Sequence, residues 1–193
     1  MMDETTKVYV VDDDRDLGAS LARLLRRHGF DAEPFTDPGA LLEIYANAPA
    51  HCVLTDMMMD DLDGFAFAEK VRELDPSVAI VFMTAWPTTA NAVDSVRRYG
   101  GLDYLEKPLD QERLLVAIEE GACWSRERRQ RRNRTASLTP REREVFDLLV
   151  QGQSNKMIAA ALGLSSRTVE DHRASIMAKT EAQSLAQLIT LSR

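Results

Sequence analysis

The chain contains 193 residues, of which 45% are hydrophobic, and has a net charge of −7. This length and hydrophobic content suit one large globular domain or two small ones. It has no apolar run of about 18 residues and no apolar signal core at its amino terminus, so we expect no membrane span and no secretion. Cys52 and Cys123 are too few for a disulfide framework or a zinc site, and we expect both to be buried free thiols in the cytoplasm.

Short apolar runs alternate with segments of helical period through the first part of the chain. Runs rich in Val, Ile, Tyr and Phe predict strands at residues 8–11, 31–35, 52–55, 78–84 and 102–105. Apolar residues three or four apart predict helices at 16–28, 39–48, 65–74, 88–99 and 109–124. This alternation is typical of βαβ units. We therefore expect an α/β domain over residues 1–124, built on a doubly wound five-stranded parallel sheet.

Residues 125–137 separate this domain from a different region. They include six arginines and almost no apolar residues, which indicates a basic linker that can also extend the preceding helix. The charge changes here: residues 1–124 contain 11 Lys+Arg and 24 Asp+Glu, a net −13, whereas residues 125–193 contain 13 and 7, a net +6. Such an asymmetry predicts two bodies with different partners, of which only the second attracts a polyanion.

Residues 138–193 have a purely helical pattern. Thr139 suits the N-cap of a first helix, with Pro140 at the first helical position and Glu142 completing a capping box. Three further helices are predicted, at 155–162, from Ser165 or Ser166 to about residue 180, and at 184–192. A short helix that turns tightly into a longer one predicts a small all-α helix-turn-helix domain.

Polar side chains follow the ends of several predicted strands. Asp12 and Asp13 follow the first strand, Asp56 ends the third, Thr84 ends the fourth, and Lys107 follows the fifth. Because ligands of a doubly wound sheet bind beyond the carboxyl ends of its strands, these residues are expected to converge. Packed carboxylates repel one another unless a cation intervenes, and Mg²⁺ prefers such oxygen ligands. A carboxylate beside Mg²⁺ can attack a phosphoryl group, and a lysine can pair with a phosphate oxygen.

Five features in this order resemble the receiver domains of response regulators: VVDDD, the segment Asp56-Met57-Met58-Met59, Gly64 eight residues after Asp56, FMTA, and DYLEKP. The resemblance covers residues 6–124 and implies a flavodoxin-like fold. It implies that Asp56 accepts a phosphoryl group from a partner histidine kinase and that Lys107 contacts the phosphate. It also implies that Thr84 and Tyr104 form the switch pair, the two residues whose positions change on phosphorylation. A Mg²⁺ site is implied as well, with Asp13, Asp56 and the Met58 carbonyl as ligands and Asp12 beside them.

One position departs from the family pattern. Asp60 stands where the family usually has a proline, which leaves the loop less restrained and more negative. We expect Asp60, Asp61 and Asp63 to form a solvated loop without a role. A phosphorylation-independent DNA-binding regulator with a degenerate receiver therefore stays as the alternative. An aspartate-nucleophile phosphatase is disfavoured, because such enzymes need a second Asp two residues after the nucleophile and position 58 is Met.

The motifs LTPREREV, SNKMIA, LGLS, RTVEDHR and MAK resemble the LuxR-type DNA-binding domain of the NarL/FixJ response regulators. The resemblance covers residues 138–191 and implies that the third helix lies in the major groove of DNA. The residues expected against the DNA backbone or the bases are Lys156, Ser166, Arg167, Thr168, Glu170, Asp171, His172, Arg173, Ala174 and Lys179. Glu170 and Arg173 are equally consistent with a surface ion pair that reads no base.

The resulting hypothesis is a two-component response regulator. Phosphorylation of Asp56 is expected to control homodimerisation and sequence-specific binding to double-stranded promoter DNA, with the helix at 184–191 pairing with its twin. RNA polymerase is a further expected partner, and a membrane is not. We expect no enzymatic activity other than slow autodephosphorylation.

Overall fold

The computed structural model describes residues 5–59, 63–88 and 101–192. The chain divides into two compact units, Met1–Glu127 and Arg128–Arg193. Apart from its first residue, the helix predicted at 88–99 lies outside the described residues, as do Asp60 and Asp61. Among the described helices, none combines the length and the apolar composition that crossing a lipid bilayer requires.

Five strands of the first unit form one parallel sheet in the order β2-β1-β3-β4-β5. Each begins and ends within one residue of its predicted position, and the bounds are β1 Lys7–Val11, β2 Asp31–Phe35, β3 Cys52–Asp56, β4 Ala79–Thr84 and β5 Asp103–Glu106. The chain first builds outward from β1 to β2 and then continues on the other side with β3. The carboxyl ends of β1 and β3 therefore flank the crevice where doubly wound sheets bind their ligands.

Helices cover both faces of this sheet, at α1 Arg15–Arg27, α2 Pro38–Tyr45, α3 Gly64–Leu74 and α4 Gln111–Ala136. Because successive strand residues point to opposite faces, β1 contributes to two cores. Val8 and Val10 pack in one core with residues of α1 and α4, and Tyr9 and Val11 pack in the other with residues of α2 and α3. The predicted doubly wound α/β fold is confirmed.

Helix α4 continues through the segment predicted as a linker. It contains 26 residues and ends at Ala136, so the arginine-rich stretch extends the helix. Although this stretch has almost no apolar residues, the side chains of Ser125 and Thr135 are buried. The helix therefore spans the boundary between the two units instead of ending before it.

The two cysteines lie in different surroundings. Cys52 in β3 is buried, as expected, and burial raises the pKa of its thiol to about 12. Cys123 in α4 is exposed, so the expectation of a second buried thiol is wrong. The neighbouring residue Ala122 faces the core, and Cys123 is turned about 100° away from it around the helix.

The second unit consists of helices α5 Pro140–Val150, α6 Asn155–Leu162, α7 Ser166–Thr180 and α8 Leu185–Leu191, in addition to the end of α4. The Thr139–Glu142 capping box is present at the start of α5, as predicted. Gly163 ends α6 with φ 65°, a left-handed conformation that suits glycine, and Ser165 caps α7. One apolar core holds the helices together and includes Phe146, Ile158, Val169, Ile176 and Leu188.

Candidate functional site

The carboxyl ends of β1 and β3 bring three aspartates together. Val11 pairs with Thr55 in the sheet, so the residues that follow them, Asp12 and Asp56, lie at the same edge. One carboxylate oxygen of each of Asp12, Asp13 and Asp56 lies within 4.8 Å of the others. Asp12 and Asp56 are buried, whereas Asp13 is exposed. The cluster therefore opens to solvent on the side of Asp13.

Lys107 contacts two of these carboxylates at once. Its Nζ donates hydrogen bonds to Oδ2 of Asp12 at 2.8 Å and to Oδ2 of Asp56 at 2.6 Å. Burial alone lowers the pKa of Lys107, but the hydrogen bonds to both carboxylates outweigh it and raise the pKa above its usual value. Burial raises the pKa of Asp12, which the hydrogen bond from Lys107 offsets only in part. A single ammonium thus faces a larger negative charge than it can neutralise.

The donor set of this cluster fits a hard divalent cation. Asp12, Asp13 and Asp56 supply only carboxylate oxygens, the ligand type that Mg²⁺ and Ca²⁺ prefer. The raised pKa of Asp12 indicates that its negative charge is not fully compensated by the protein. A bound cation would supply that compensation, so the cluster is a candidate metal centre.

The other residues predicted for this site surround the cluster in different ways. Thr84 is buried at the end of β4; its Oγ1 accepts a hydrogen bond from the Trp86 N–H, and its carbonyl accepts one from the Lys107 N–H at 2.7 Å. The Met58 N–H donates to Oδ1 of Asp56 at 3.2 Å. The Tyr104 hydroxyl is buried and makes no hydrogen bond in the described part of the chain, so it is not joined to Thr84.

Gly64 allows the chain to pass close to the phosphoryl-acceptor candidate. A methyl group at residue 64 would lie 2.2 Å from the Asp56 carbonyl oxygen and 2.8 Å from Cα of Met57. No side chain fits such distances, so the first turn of α3 can pack against the end of β3 only with glycine here. The sequence motif contains Gly64, but its spacing alone does not reveal this close approach.

Asp63 has a role that the sequence interpretation did not give it. It is the N-cap of α3, and its Oδ1 accepts hydrogen bonds from the N–H groups of Phe65 at 2.8 Å and Ala66 at 2.9 Å. The expectation that it belongs to a loop without a role is therefore wrong for Asp63. The signal was available, because an aspartate directly before a helical apolar pattern is typical of an N-cap.

Helix α7 presents a polar surface in the second unit. Arg167, Glu170, Asp171 and Ala174 are exposed, as is Lys156 on α6, and His172 and Arg173 are half-buried. Ser166, exposed, and Thr168, half-buried, lie in the first turn of α7. These residues are all among those predicted to face DNA. Arg173 also donates from Nη1 to Oδ1 of Asn155 at 3.3 Å, which connects α7 to α6.

Both units match known families. Residues 8–119 match the response regulator receiver domain, and residues 136–192 match the bacterial regulatory proteins of the luxR family. The chain belongs to the response regulators. Transcriptional regulatory protein FixJ of Bradyrhizobium diazoefficiens is 37% identical, over 97% of this chain and 96% of that one. Tetrathionate response regulatory protein TtrR of Salmonella typhimurium is 35% identical, over 94% and 89%. A crystal structure of full-length FixJ from B. japonicum is 34% identical, with a TM-score of 0.58 over 97% of this chain and 95% of that chain.

The response regulator thus combines a receiver domain with a LuxR-type DNA-binding domain, as in two-component systems. The receiver domain implies a kinase partner, and the LuxR-type domain implies DNA binding. The match extends over nearly the whole length of the FixJ relative, so it is not confined to one of the two domains.

A buried polar cluster in the DNA-binding domain of this response regulator was not anticipated. Glu142, which is 5% exposed, accepts hydrogen bonds from the Thr139 N–H, the Ser175 hydroxyl and Nζ of Lys179. These contacts, led by the one with Lys179, lower the pKa of Glu142 to about 2. The capping box predicted the bond to Thr139, but the sequence held no signal for the partners on α7.

Proposed function

We propose that a sensor histidine kinase phosphorylates Asp56 and thereby controls homodimerisation and binding to double-stranded promoter DNA. The observation that carries this proposal is the position of Asp56 at a strand end, among two further aspartates and in contact with Lys107. A carboxylate placed this way can act as the nucleophile while a neighbouring cation stabilises the transferred group.

In the proposed step, a carboxylate oxygen of Asp56 attacks the phosphorus atom of a phosphohistidine on the kinase. An O–P bond forms as the P–N bond breaks, and the electron pair of the broken bond stays with the imidazole nitrogen, which takes up a proton. Mg²⁺, held by Asp12, Asp13, Asp56 and the Met58 carbonyl, would neutralise charge on the phosphoryl oxygens. Lys107, already 2.6 Å from Asp56, pairs with a phosphate oxygen.

The added phosphate then acts as the switch. The phosphoryl group adds about two negative charges next to Lys107 and the end of β4. Thr84 turns its hydroxyl towards a phosphate oxygen, and Tyr104 reorients, which changes the outer surface of the receiver and its pairing. The Tyr104 hydroxyl supports this role, because it has no hydrogen bond in the described part of the chain that would have to break.

Dimerisation brings two DNA-binding domains into register on adjacent half-sites. Helix α8 pairs with its twin, and α7 enters the major groove. Lys156 and residues 166–168 lie against the phosphate backbone, with Glu170, Asp171, His172, Arg173 and Ala174 in or beside the groove. Two linked modules bind far more tightly than one, which makes occupancy depend on phosphorylation. RNA polymerase is the expected partner of the bound dimer.

We further propose that the protein accepts phosphate without turning over a substrate, apart from slow autodephosphorylation, and that it works in the cytoplasm. The experiment that tests the acceptor is incubation of the full chain with radiolabelled acetyl phosphate and Mg²⁺. Asp56→Asn is expected to abolish incorporation, because an amide oxygen is a poor nucleophile. Asp63→Asn is the matched control: asparagine still caps α3, so incorporation is expected to stay at the level of the unaltered protein. Normal labelling of Asp56→Asn would overturn the assignment.

A further inference from the structure

Most of the positive charge of the DNA-binding unit lies outside its helix-turn-helix. Residues 138–193 contain seven Lys+Arg and six Asp+Glu, a net charge of only +1. Residues 128–134, the arginine segment, contain five arginines and no acid, a net charge of +5. Because binding to DNA depends mainly on cations that neutralise phosphates, a body with a net charge of +1 is weakly equipped for it.

Several cations of the helix-turn-helix are also held within the domain. Nζ of Lys179 lies 2.7 Å from Glu142, and Arg141 pairs with Glu144. Arg143 donates to the Thr135 carbonyl and stacks near the Phe146 ring. These contacts reduce the charge that α5 and α7 can offer to phosphates. By net charge, +5 against +1, the arginine segment is the main source of positive charge in the unit.

The arginine segment is anchored to the helix-turn-helix and does not form a free tail. It is helical and belongs to the same compact unit as α5 to α8. Directly after it, Thr135 is buried and its carbonyl accepts the hydrogen bond from Arg143. Arg134 lies 3.4 Å from Glu181 at the end of α7. The position of the segment relative to the recognition helix is therefore set by the fold of the unit.

The arginines are distributed so that part of the segment faces solvent. Arg132 and Arg134 are exposed, whereas Arg128, Arg129 and Arg131 are half-buried. Residues three apart on a helix are neighbours on its surface, so Arg129 and Arg132 form one basic face. Guanidinium groups suit phosphate because they donate two parallel hydrogen bonds.

We propose that the arginine segment is a second DNA-binding surface that contacts backbone phosphates outside the base pairs read by α7. The inference rests on the proposed function, because it assumes that the unit binds duplex DNA. The acidic receiver, with its net charge of −13, also complements the segment electrostatically. DNA is favoured as the partner because the segment belongs to the same compact unit as the recognition helix and carries a larger net positive charge than the helix-turn-helix.

The test compares full-length variants on a fluorescently labelled duplex of random sequence, because phosphate contacts do not depend on base sequence. Arg129→Gln/Arg132→Gln removes two charges from the segment. Arg23→Gln/Arg27→Gln is the matched control and removes two exposed charges from α1 of the receiver. Arg129→Lys/Arg132→Lys keeps the charge. Binding is measured over a range of NaCl concentrations, with and without beryllofluoride and Mg²⁺.

We expect the slope of log K against log[salt] to become shallower by about 0.9 for each lost phosphate contact in the segment variant. The control and the lysine variant are expected to keep the slope of the unaltered protein. An unchanged slope in the segment variant, or an equal change in the receiver control, overturns the inference. Tighter binding by the segment variant without beryllofluoride also overturns it, since the arginines then contact the receiver. If the unaltered protein binds no duplex in either condition, the proposed function itself fails, and the inference with it.

Discussion

The ammonium group of Lys107 lies 2.6 Å from Oδ2 of Asp56, across 51 residues of sequence. The same nitrogen lies 2.8 Å from Oδ2 of Asp12, so one cation joins the carboxyl ends of β1 and β3 to the segment after β5. Under the proposed function, in which Asp56 accepts the phosphoryl group, Lys107 is already in place to pair with phosphate. The same contact means that the unphosphorylated receiver depends on Lys107 for part of its stability.

Lys107→Met is expected to lower the free energy of unfolding by about 2 kcal/mol in metal-free buffer. This is less than the loss of about 3–5 kcal/mol for a fully buried pair, since the lysine side chain is 17% exposed. Mg²⁺ is expected to reduce the loss, because a bound cation replaces the missing charge. Urea denaturation with EDTA and with Mg²⁺ measures both effects. Lys70→Met, an exposed lysine on α3, should change stability by less than about 0.5 kcal/mol. An equal loss in both buffers would argue against the metal centre.

Gly64→Ala and Gly18→Ala are expected to have opposite effects on stability. The added methyl at residue 64 meets the Asp56 carbonyl oxygen at 2.2 Å, and the strain should cost about 3 kcal/mol. At Gly18, inside α1, the nearest atom is Cβ of Asp12 at 3.8 Å, an ordinary contact. Alanine there favours the helix by about 0.5–1 kcal/mol. Chemical denaturation of the two variants side by side tests this. Similar stabilities would show that the backbone at the end of β3 shifts at little energetic cost to accommodate the added methyl group.

Glu142→Gln is expected to destabilise the DNA-binding unit by about 1.5–3 kcal/mol at pH 7, the range for hydrogen bonds to a charged group. The pKa of Glu142 is lowered to about 2, so its ionised form is favoured by folding. The stabilisation is therefore complete above about pH 4.5 and disappears as the pH falls through about 2. The difference between variant and unaltered protein should shrink over that interval.

Hydrogen exchange of the α7 core amides reports this unit separately from the receiver. Glu144→Gln provides the control, because the Arg141–Glu144 pair is exposed and should contribute less than about 1 kcal/mol. A difference that stays constant from pH 7 to pH 3 would mean that Glu142 acts through packing and not through its charge.

Tyr104→Phe and Tyr9→Phe separate a hydroxyl without a hydrogen bond from one that has a partner. The Tyr104 hydroxyl is buried with no hydrogen bond in the described part of the chain, so its removal should leave the stability unchanged or raise it by up to about 1 kcal/mol. The Tyr9 hydroxyl donates to the Ala48 carbonyl at 2.6 Å, and its loss should cost about 1 kcal/mol. Urea denaturation of unphosphorylated protein measures both. Equal losses would show that Tyr104 is held by a hydrogen bond.

The sequence by itself determined which residues stand at the ends of elements. The short runs of apolar residues predicted the five strands and thereby placed Asp12 and Asp56 at the carboxyl ends of strands. Such a prediction is possible because the pattern of apolar residues within a strand is a local property of the sequence. The capping box at Thr139 could be predicted for the same reason, since it involves only residues within one helical turn. The local features overlooked include the N-cap roles of Asp37, Asp63 and Ser154.

Only the tertiary structure decided which distant side chains meet. The sequence predicts that Lys107 and Asp12 lie near each other, but only the structure shows that they form a direct hydrogen bond across 95 residues. The contact of Lys179 with Glu142, across 37 residues, has no signal in the sequence. The close approach of Gly64 to Asp56, which leaves no room for a side chain at residue 64, depends on how α3 lies on the sheet. The exposure of Cys123 depends on how α4 is rotated about its own axis. Such distances follow from the packing of whole elements, in which a one-residue change of register or a fraction of a helical turn exchanges one neighbour for another.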